Sequence, residues 1–325
     1  MEKQFDIVAV GEILVDFVSR ETADGKKLVL EGNPGGAPAN LAAAAVKHGV
    51  QACFVGEVGD DIFGQFLQEK LRNQGVDTEY MVVNSRYKTT LAFVQLDEKG
   101  ERSFCFYRNP GADTMIESQA VNLRAIDECD LFHYGSVSMT HNPARITTFE
   151  LVKYAQQKGK ILSFDPNLRM PLWNSEEEAR HEIRHGLQFC DILKVAEDEL
   201  IFLTGCETLE EGARQLAKKY KTPLILITEG EKGSHALIHG YYINAPTFPV
   251  SVVDTTGAGD GFLGCFLASF LKSGKTLEQL NGDDVYQMLR LANAAGALSV
   301  TRKGGMPSLV TTEEAQALLD QHPER

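Results

Sequence analysis

Short apolar segments alternate with longer amphipathic segments along most of the chain. Stretches such as "CDLFHYGS" (129–136), "KILSFD" (160–165) and "PLILITEG" (223–230) have the length and apolar content of buried strands. Between such stretches lie segments typical of amphipathic helices, among them "TTFELVKYAQQKG" (147–159) and "TLEEGARQLAKKY" (208–220). This alternation predicts an α/β fold whose central sheet is mostly parallel and flanked by helices on both faces.

Two segments, residues 12–32 and 80–110, contain strand-like stretches with no helix between them. In the second segment the polar sequence "DEKGE" (97–101) separates two apolar stretches and predicts the turn of a hairpin. We expect these extra strands to form a small sheet, which we call the lid sheet. No linker, repeat or low-complexity tract interrupts residues 1–325, so we expect one domain that carries the lid.

The acidic composition restricts the partners that the chain can bind. Its 325 residues include 32 Lys and Arg against 45 Asp and Glu, a net charge of −13, which argues against nucleic acid and anionic membranes. Glycine loops and a few cations can still bind a small anion. The 6 cysteines lie far apart without a C-x-x-C pair, so neither a disulfide framework nor a zinc site is indicated. The sequence also lacks a long apolar N-terminal region and a membrane-spanning stretch, and we expect a reduced, soluble, cytoplasmic protein.

The stretch "VVDTTGAGDGFLGCF" (252–266) is unusually rich in glycine and carries two aspartates. Gly259, Gly261 and Gly264 match G-x-G-x-x-G, the fingerprint of dinucleotide-binding folds, and a NAD-dependent oxidoreductase is therefore one alternative. The match is weak because the triplet lies late in the chain and its last glycine falls within an apolar helix. The sequence contains no G-x-x-x-x-G-K-[ST] phosphate-binding loop.

A second interpretation places a phosphate-binding helix N-terminus in the same stretch. Gly257, Ala258 and Gly259 would present unpaired amides at the start of the helix, where the helix dipole also favours an anion. Asp260 would then lie in the first turn. It either caps the helix or acts as a general base that takes a proton from a hydroxyl attacking the phosphate, and the residues alone leave both roles open.

Two widely separated motifs resemble the signatures of one enzyme family. "DTTGAGD" (254–260), followed by Gly261 and Phe262, is similar to one signature of the ribokinase-like (PfkB) carbohydrate kinases, and "GGAPANLAAA" (35–44) is similar to the other. Further similarities cover essentially the whole chain: Asp16 in "ILVDFVS", "NPGAD" (109–113), "DPNLR" (165–169), "TEGEKG" (228–233) and "VTRKGGMPS" (300–308). Within the family the chain most resembles the fructokinases, and aminoimidazole riboside kinases and 2-keto-3-deoxygluconate kinases are close relatives.

The resemblance implies a ribokinase-like fold and an ATP-dependent sugar kinase that phosphorylates the C6 hydroxyl of D-fructose. It makes Asp260 the general base, and it makes Gly257, Ala258 and Gly259 the anion hole for the moving phosphoryl group. The lid often pairs subunits in this family, so a homodimer through the lid is expected. The sugar-binding residues that the resemblance and their polar or backbone character indicate, beside Asp260, are Asp16, Gly35, Gly36, Asn40, Phe106, Arg108 and Arg169, of which Arg169 is also placed at the reacting phosphate.

The resemblance also indicates nucleotide and cation sites. The residues implied at ATP are Lys194, Thr228, Gly230, Gly233, Gly257, Gly259 and Asn293. Relatives usually carry an Asn and a Glu associated with Mg²⁺; here Ala196 replaces the Asn and Glu199 retains the Glu. The loss of the Asn weakens the case for Mg²⁺ bound directly by the protein, but Mg·ATP is still expected as the substrate. A K⁺ site next to the anion hole would use Asp254, Thr256, Ser299, Arg302, Gly304 and Ser308.

Overall fold

The computed structural model describes residues 3–21, 27–96 and 102–322, and the expected turn at 97–101 lies outside these ranges. Within them the chain forms 14 strands and 10 α-helices. None of the helices in these ranges has the length and apolar character needed to cross a lipid bilayer.

An eight-stranded sheet forms the centre of the molecule. In their side-by-side order its strands are β14 (Tyr241–Ala245), β13 (Ser234–Ile238), β12 (Leu224–Thr228), β11 (Ile192–Ala196), β10 (Ile161–Asp165), β9 (Cys129–Gly135), β1 (Phe5–Val10) and β4 (Ala52–Val55). The six strands from β12 to β4 in this order are parallel, while β13 and β14 form an antiparallel hairpin at one edge. The mostly parallel sheet predicted from the alternating segments is therefore confirmed, and the edge hairpin is an addition.

Helices cover both faces of this sheet because alternate residues of its strands point in opposite directions. In β1, Ile7 and Ala9 belong to one apolar core, whereas Val8 and Val10 belong to the other. The first core is covered by α1 (Ala37–Lys47), α2 (Ile62–Asn73), α8 (Ala258–Lys272), α9 (Gly282–Ser299) and α10 (Thr312–Gln321). The second is covered by α3 (Arg124–Asp127), α4 (Ala144–Gln157), α5 (Glu176–Gly186), α6 (Glu197–Thr204) and α7 (Leu209–Tyr220).

A separate four-stranded sheet is built from the two segments in which no helix was expected. Its side-by-side order is β3 (Leu28–Gly35), β2 (Leu14–Glu21), β7 (Leu91–Leu96) and β8 (Arg102–Tyr107). The pairs β2–β3 and β7–β8 are antiparallel, and β2–β7 is parallel. The start of the second segment belongs elsewhere, because β6 (Val82–Asn84) pairs with β5 (Glu57–Gly59) in a third, two-stranded sheet.

Helices α1 and α8, which carry the two signature motifs, pack closely against each other. A Cβ atom at Gly264 of α8 would lie 2.5 Å from the Cβ of Ala44 and 2.9 Å from the carbonyl oxygen of Leu41, both in α1. Only a residue without a side chain permits this approach. The close packing brings the N-terminal turns of both helices to the same end of the sheet.

Candidate active site

A cavity of about 1360 Å³ opens where the parallel strands end and the lid sheet begins. Residues that come directly after or at the carboxyl ends of four central strands line it: Val137 after β9, Asn167 after β10, Ala196 of β11 and Thr228 of β12. Ligands of open α/β sheets bind at this edge, because loops and helix N-termini converge there. Asp16 and Phe106 of the lid sheet line the cavity from the opposite side.

The N-terminus of α8 faces this cavity. Gly257 precedes the helix with a φ of 77°, and a Cβ there would lie 2.8 Å from the Cα of Gly305, so the turn requires glycine. Gly257, Ala258 and Gly259 all line the cavity, as expected for the anion hole. The amide of Ala258 also makes a long bond of 3.4 Å to the carbonyl oxygen of Thr255. The arrangement concentrates backbone N–H groups and the positive end of the helix dipole at one point of the wall.

Asp260 lies in the first turn of α8 and lines the same part of the cavity. Its Oδ2 atom accepts a hydrogen bond of 2.8 Å from Nδ2 of Asn40. The pKa of Asp260 is raised to about 6, mainly by burial and also by the nearby Asp165, against the lowering effect of the hydrogen bond from Asn40 and of the charge of Lys194. The carboxylate is therefore a stronger base than a free aspartate and is still mostly ionised at neutral pH.

Two of the three glycines of the dinucleotide fingerprint, Gly261 and Gly264, are not part of the cavity lining. A Cβ at Gly261 would lie 3.2 Å from Leu309 and Ser299 side-chain atoms, and Gly264 faces α1 as described above. Both glycines serve the packing of α8 against protein. The dinucleotide interpretation of this stretch is therefore wrong, because two of its three glycines are not available to a pyrophosphate.

Asp16 and Phe106 lie in one row across the lid sheet. Asp16 of β2 is opposite Ala92 of β7, and Ala92 is opposite Phe106 of β8. Burial raises the pKa of Asp16 to about 7, while the charge of Arg169 lowers it and Asp260 raises it. The row places a carboxylate and an aromatic ring over the same end of the cavity.

The paired glycines of the first signature have different surroundings. Gly36 lines the cavity and has a φ of 110°, whereas Gly35 lies behind Asp16 and is not part of the lining. A Cβ at Gly35 would overlap the carboxylate of Asp16, and one at Gly36 would overlap the carbonyl oxygen of Glu12. Close backbone approach is thus the reason for glycine at both positions.

Arg169 reaches the cavity from the loop after β10. Asn167, with a left-handed φ of 46°, turns this loop, and its amide donates to Oδ1 of Asp165 over 3.1 Å. The Arg169 side chain is exposed at the cavity, and its charge lowers the pKa of both Asp16 and Asp260. Arg169 is therefore available to an anionic or hydroxylated ligand, as the sequence suggested.

Arg108 is not where a substrate-binding cation is needed. It is buried outside the cavity lining, and its guanidinium pairs with Asp113 over 2.7 Å. It also donates to Oγ1 of Thr140 over 2.8 Å and to the carbonyl oxygen of Val137 over 3.1 Å. The sequence-based assignment of Arg108 to the sugar is wrong, because these partners occupy the guanidinium in a bridge between the base of the lid and the core.

A buried ion pair lies beside the N-terminus of α8. Nζ of Lys194 is 3.0 Å from Oδ2 of Asp165, and it would be 3.1 Å from a Cβ at Gly259. Burial by itself lowers the pKa of Lys194, but the charges of Asp165, Glu199 and Asp260 together raise it. Lys194 therefore stays protonated, and it lines the cavity next to the expected anion hole.

Glu199 does not reach the cavity. Its two carboxylate oxygens accept hydrogen bonds from the backbone N–H groups of Leu168, over 2.6 Å, and Ala196, over 2.8 Å. Burial raises its pKa, and the charge of Lys194 lowers it. In the described ranges no group of three or more His, Cys, Asp and Glu side chains is placed to hold a metal ion. Glu199 thus connects the backbone at Leu168 to the backbone at Ala196. Direct Mg²⁺ binding by this residue does not fit these contacts.

The remaining residues expected at the nucleotide also border the cavity. Thr228, Gly230, Gly233 and Asn293 all line it. The side-chain amide of Asn293 donates to the carbonyl oxygen of Ala245 over 2.9 Å. That bond holds the start of the loop 246–250, whose cavity-lining residues Thr247, Phe248, Pro249 and Val250 the sequence analysis missed because no motif marks them.

The segments expected to hold K⁺ are adjacent. The carboxylate of Asp254 accepts hydrogen bonds from the amides of Thr256, over 2.8 Å, and Gly304, over 3.0 Å. The hydroxyls of Ser299 and Ser308 donate to neighbouring carbonyl oxygens at Ala295 and Gly305. The Arg302 guanidinium pairs with Glu314. The structure thus brings the two loops together beside α8, with the serine and arginine side chains engaged in other contacts.

A carboxylate in the first turn of a helix, with backbone amides and a lysine beside it, is the arrangement of an enzyme that moves an anionic group onto a hydroxyl. Comparison with known proteins agrees. The sequence profile described as pfkB family carbohydrate kinase matches residues 4–312. The chain therefore belongs to the pfkB family of carbohydrate kinases.

Individual relatives resemble the chain over nearly its whole length. Fructokinase-1 of Zea mays is 40% identical over 318 residues, which cover 97% of both chains. The crystal structure of Fructokinase with bound ATP from Xylella fastidiosa has a TM-score of 0.90 at 33% identity and covers 98% of this chain and 99% of its own. A structure of Fructokinase from Vibrio cholerae with fructose, ADP and potassium has a TM-score of 0.87 at 30% identity and covers 98% of this chain and 99% of its own. A second one, with fructose, ADP and calcium, has a TM-score of 0.86 at 31% identity and covers 97% of this chain and 99% of its own.

Proposed function

We propose that this chain transfers the γ-phosphoryl group of ATP to the C6 hydroxyl of D-fructose. The single observation that carries the residue assignment is the position of Asp260. Its carboxylate lies in the first turn of α8, beside the backbone amides of the helix start and within a cavity large enough for two ligands. Relatives about 40% identical over nearly the full chain are fructokinases, which supports fructose as the acceptor.

Asp260 is the general base of the proposed reaction. It accepts the proton of the sugar hydroxyl as the hydroxyl oxygen attacks the γ-phosphorus, and the bond from that phosphorus to the β–γ bridging oxygen breaks. The backbone amides of Gly257, Ala258 and Gly259 stabilise the negative charge of the phosphoryl group during transfer. Because the transition state of phosphoryl transfer is loose, positioning and charge stabilisation contribute most of the rate, and a carboxylate with a pKa of about 6 is basic enough.

Cations on the cavity wall offset the charge of the phosphates. Lys194 lies beside Gly259, and Arg169 lies near Asp16 and Asp260, so that the two cations face the transferred group from two directions. A free energy of about 2.7–4 kcal/mol is typical for one such stabilising donor. The net charge of −13 makes local cations necessary for a polyanionic substrate.

The lid end of the cavity is the proposed sugar subsite. Asp16 accepts hydrogen bonds from sugar hydroxyls, Asn40 orients Asp260, and Phe106 covers the apolar face of the sugar. Gly36 leaves the backbone open at this wall. The nucleotide occupies the other end, next to Thr228, Gly230, Gly233 and the loop held by Asn293.

Divalent metal enters as part of the nucleotide substrate in this proposal. ATP with a divalent metal is consistent with the solved relatives, and Mg²⁺ would keep its phosphate and water ligands because Glu199 is engaged elsewhere. For K⁺, the proposed site lies where the segments of Asp254 and Thr256 and of Ser299, Arg302, Gly304 and Ser308 come together beside α8. Exchange of K⁺ for a bulky organic cation tests that site, and unchanged activity would remove it.

An ADP-release assay with a panel of acceptors tests the proposed function. The panel contains fructose, ribose, aminoimidazole riboside, 2-keto-3-deoxygluconate and nucleosides, and we expect the highest kcat/KM with fructose. A higher value for aminoimidazole riboside or 2-keto-3-deoxygluconate would replace the acceptor and keep the sugar-kinase assignment. No ADP release with any sugar would contradict the assignment itself.

The lid sheet also supports the proposed homodimer of a cytoplasmic enzyme. Its outer strand β3 exposes Leu28, Val29 and Leu30, of which Leu28 is 66% exposed. An exposed apolar edge strand invites pairing with another strand or sheet. Light scattering after size-exclusion chromatography tests this, and a monomer at micromolar concentration would contradict the dimer.

A further inference from the structure

Glu12 is a buried carboxylate at the wall of the cavity that sequence analysis did not single out. It follows β1 and precedes β2, is 3% exposed and lies among the cavity-lining residues. Oε1 accepts a hydrogen bond of 2.9 Å from the amide of Ala37, whereas Oε2 is buried and has no hydrogen-bond partner in the described part of the chain. A buried carboxylate is costly, and burial raises the pKa of Glu12 to about 7. Such a group calls for a role.

The contact with Ala37 supplies what helix α1 itself lacks at its start. The helix is preceded by Gly36, which has no side chain to accept a first-turn amide, and the first turn contains no acidic residue. Helices commonly satisfy these amides with a Ser, Thr, Asp or Asn side chain. Glu12 provides the acceptor from another element, so it acts as a tertiary N-cap of α1.

The capped turn leads directly to the proposed base. The carbonyl oxygen of Gly36 accepts the amide of Asn40 over 2.9 Å, and the Asn40 side chain donates to Asp260 over 2.8 Å. Three hydrogen bonds therefore connect Glu12 to Asp260 through one helical turn. A shift of Ala37 away from Glu12 would move Asn40 relative to Asp260, and it would also move Gly36 at the sugar subsite.

The chain before Ala37 is also held by the pairing of Gly35 with Leu14 in the lid sheet. Gly36 crosses the carbonyl oxygen of Glu12 so closely that a Cβ atom would overlap it, and a Cβ on Gly11 would lie 2.7 Å from the ring of Pro38. These contacts limit approach but do not hold the turn in place, because a steric contact resists compression only. The hydrogen bond from Ala37 adds an attractive contact that ties the first turn of α1 itself to the segment after β1.

We propose that Glu12 is a positioning residue that fixes the first turn of α1, and through Asn40 the carboxylate of Asp260, for phosphoryl transfer to the sugar. The inference rests on the proposed function and deepens it. In this proposal Glu12 acts through α1 and not on the substrate: Oε1 accepts the Ala37 amide, and Oε2 is buried. Thr228, Gly230, Gly233 and Asn293, which we place at the nucleotide, do not belong to α1, so sugar binding and turnover should respond to Glu12 while ATP binding should not.

Three substitutions separate an acceptor role from a charge role. Glu12→Gln keeps the oxygen that accepts the Ala37 amide, Glu12→Met keeps the volume without an acceptor, and Glu12→Asp keeps the charge but shortens its reach. We expect kcat/KM for fructose to fall about tenfold or more in the Met and Asp variants, the equivalent of the ~1.4 kcal/mol typical of a lost cap. Gln should recover most of the loss, and KM for ATP should change less than twofold in all three.

Glu128 offers a matched control. It is also buried, also has one carboxylate oxygen without a partner in the described ranges, and lies outside the cavity lining, where it accepts from Arg124 over 2.8 Å. Glu128→Met should lower the unfolding midpoint and leave both KM values unchanged. Hydrogen exchange of the 36–40 segment adds a direct readout, because exchange there should accelerate in Glu12→Met and Glu12→Asp but not in Glu12→Gln.

The outcomes are distinguishable. Unchanged fructose kinetics in folded Glu12→Met and Glu12→Asp would overturn the proposal, and so would a Gln variant as impaired as Met. If Glu12→Met does not fold, Glu12→Asp and Glu12→Gln carry the same comparison. Wild-type protein that phosphorylates no sugar would instead contradict the proposed function, independently of Glu12.

Discussion

Asn40 and Asp260 lie 220 positions apart in the sequence and share a hydrogen bond of 2.8 Å. The side-chain amide of Asn40 donates, so the bond favours the ionised carboxylate of Asp260 and lowers its pKa against the effect of burial. The bond also fixes one carboxylate oxygen of Asp260. One residue of each signature motif is therefore a partner in the proposed base.

Replacement of Asp260 tests the base directly. In Asp260→Ala we expect kcat to fall by roughly 10²–10⁴, the range typical of a lost general base, with ATP affinity retained. Steady-state kinetics and calorimetric titration with a non-hydrolysable ATP analogue provide the two measurements. Near-normal turnover in this variant would contradict the assignment of Asp260.

The pH dependence of catalysis should follow the raised pKa values of two carboxyl groups. Asp260, with a pKa of about 6, and Asp16, with a pKa of about 7, must both be ionised to accept protons or hydroxyls from the sugar. We expect kcat/KM for fructose to rise between pH 5 and about 7.5 and to level off above it. In Asn40→Ala the loss of the donated hydrogen bond should move this acidic limb to higher pH, and a limb that stays in place would show that Asp260 does not cause it.

The stability of the folded protein should fall with rising pH over the range in which activity rises, because of Asp260. The pKa of Asp260 in the folded protein lies above its ordinary value of 3.8, so the folded state binds this proton more tightly than the unfolded chain does. The stabilisation is complete below about pH 4 and is lost as the pH rises through about 6. Asp260→Asn should therefore raise the melting temperature at pH 8 by more than at pH 4.5; an equal change at both values would contradict the linkage.

Lys194→Met removes the cation beside the helix start. We expect kcat to fall about 10²-fold, because a donor that stabilises the transferred charge is lost. The single variant also leaves Asp165 buried without its partner, which typically costs about 3–5 kcal/mol. The double variant Lys194→Met with Asp165→Asn is the control: it should regain stability in urea unfolding without regaining kcat. Recovery of kcat in the double variant would assign Lys194 a structural role only.

Arg108→Met tests the revised role of that residue. Loss of the guanidinium leaves Asp113 buried and unpaired, so the free energy of unfolding should fall by about 3–5 kcal/mol. KM for fructose should change less than about threefold, whereas a lost charged hydrogen bond of 1.5–3 kcal/mol to the sugar would raise it more than tenfold. Arg124→Met is the comparison, since the Arg124 side chain in its pair with Glu128 is 64% exposed and its loss should lower the free energy of unfolding by less than the loss of Arg108 does.

The sequence predicted the residues with local signatures and failed where a partner is distant. The alternating segments were sufficient for the parallel sheet, and the "DTTGAGD" motif placed Asp260 at a helix start. Arg108 was misassigned because its guanidinium donates to the Thr140 hydroxyl and the Val137 carbonyl oxygen, which are far from it in the sequence. Glu199 was assigned to Mg²⁺ because nothing in the sequence shows that the amides of Leu168 and Ala196 occupy its oxygens.

Glu12 and Asp165 show a second limit of the sequence. Each follows or ends an apolar strand, where an acidic residue is an ordinary way to leave a sheet. Their importance depends on a partner in another element, Ala37 for Glu12 and Lys194 for Asp165. Such pairs are formed by the tertiary arrangement of helices and strands, which no local pattern encodes.

The contact at Gly264 helps to set the distance between the two motif-bearing helices. No functional group takes part there, only the missing side chain that lets α8 rest on Ala44 and Leu41. A bulkier residue would push α8 away from α1 and would displace the first turns of the two helices, where Asn40 and Asp260 meet. The alignment of Asn40 and Asp260 therefore depends on helix packing as well as on the two groups themselves. An apolar substitution in the core, far from any polar group of the site, can misalign them.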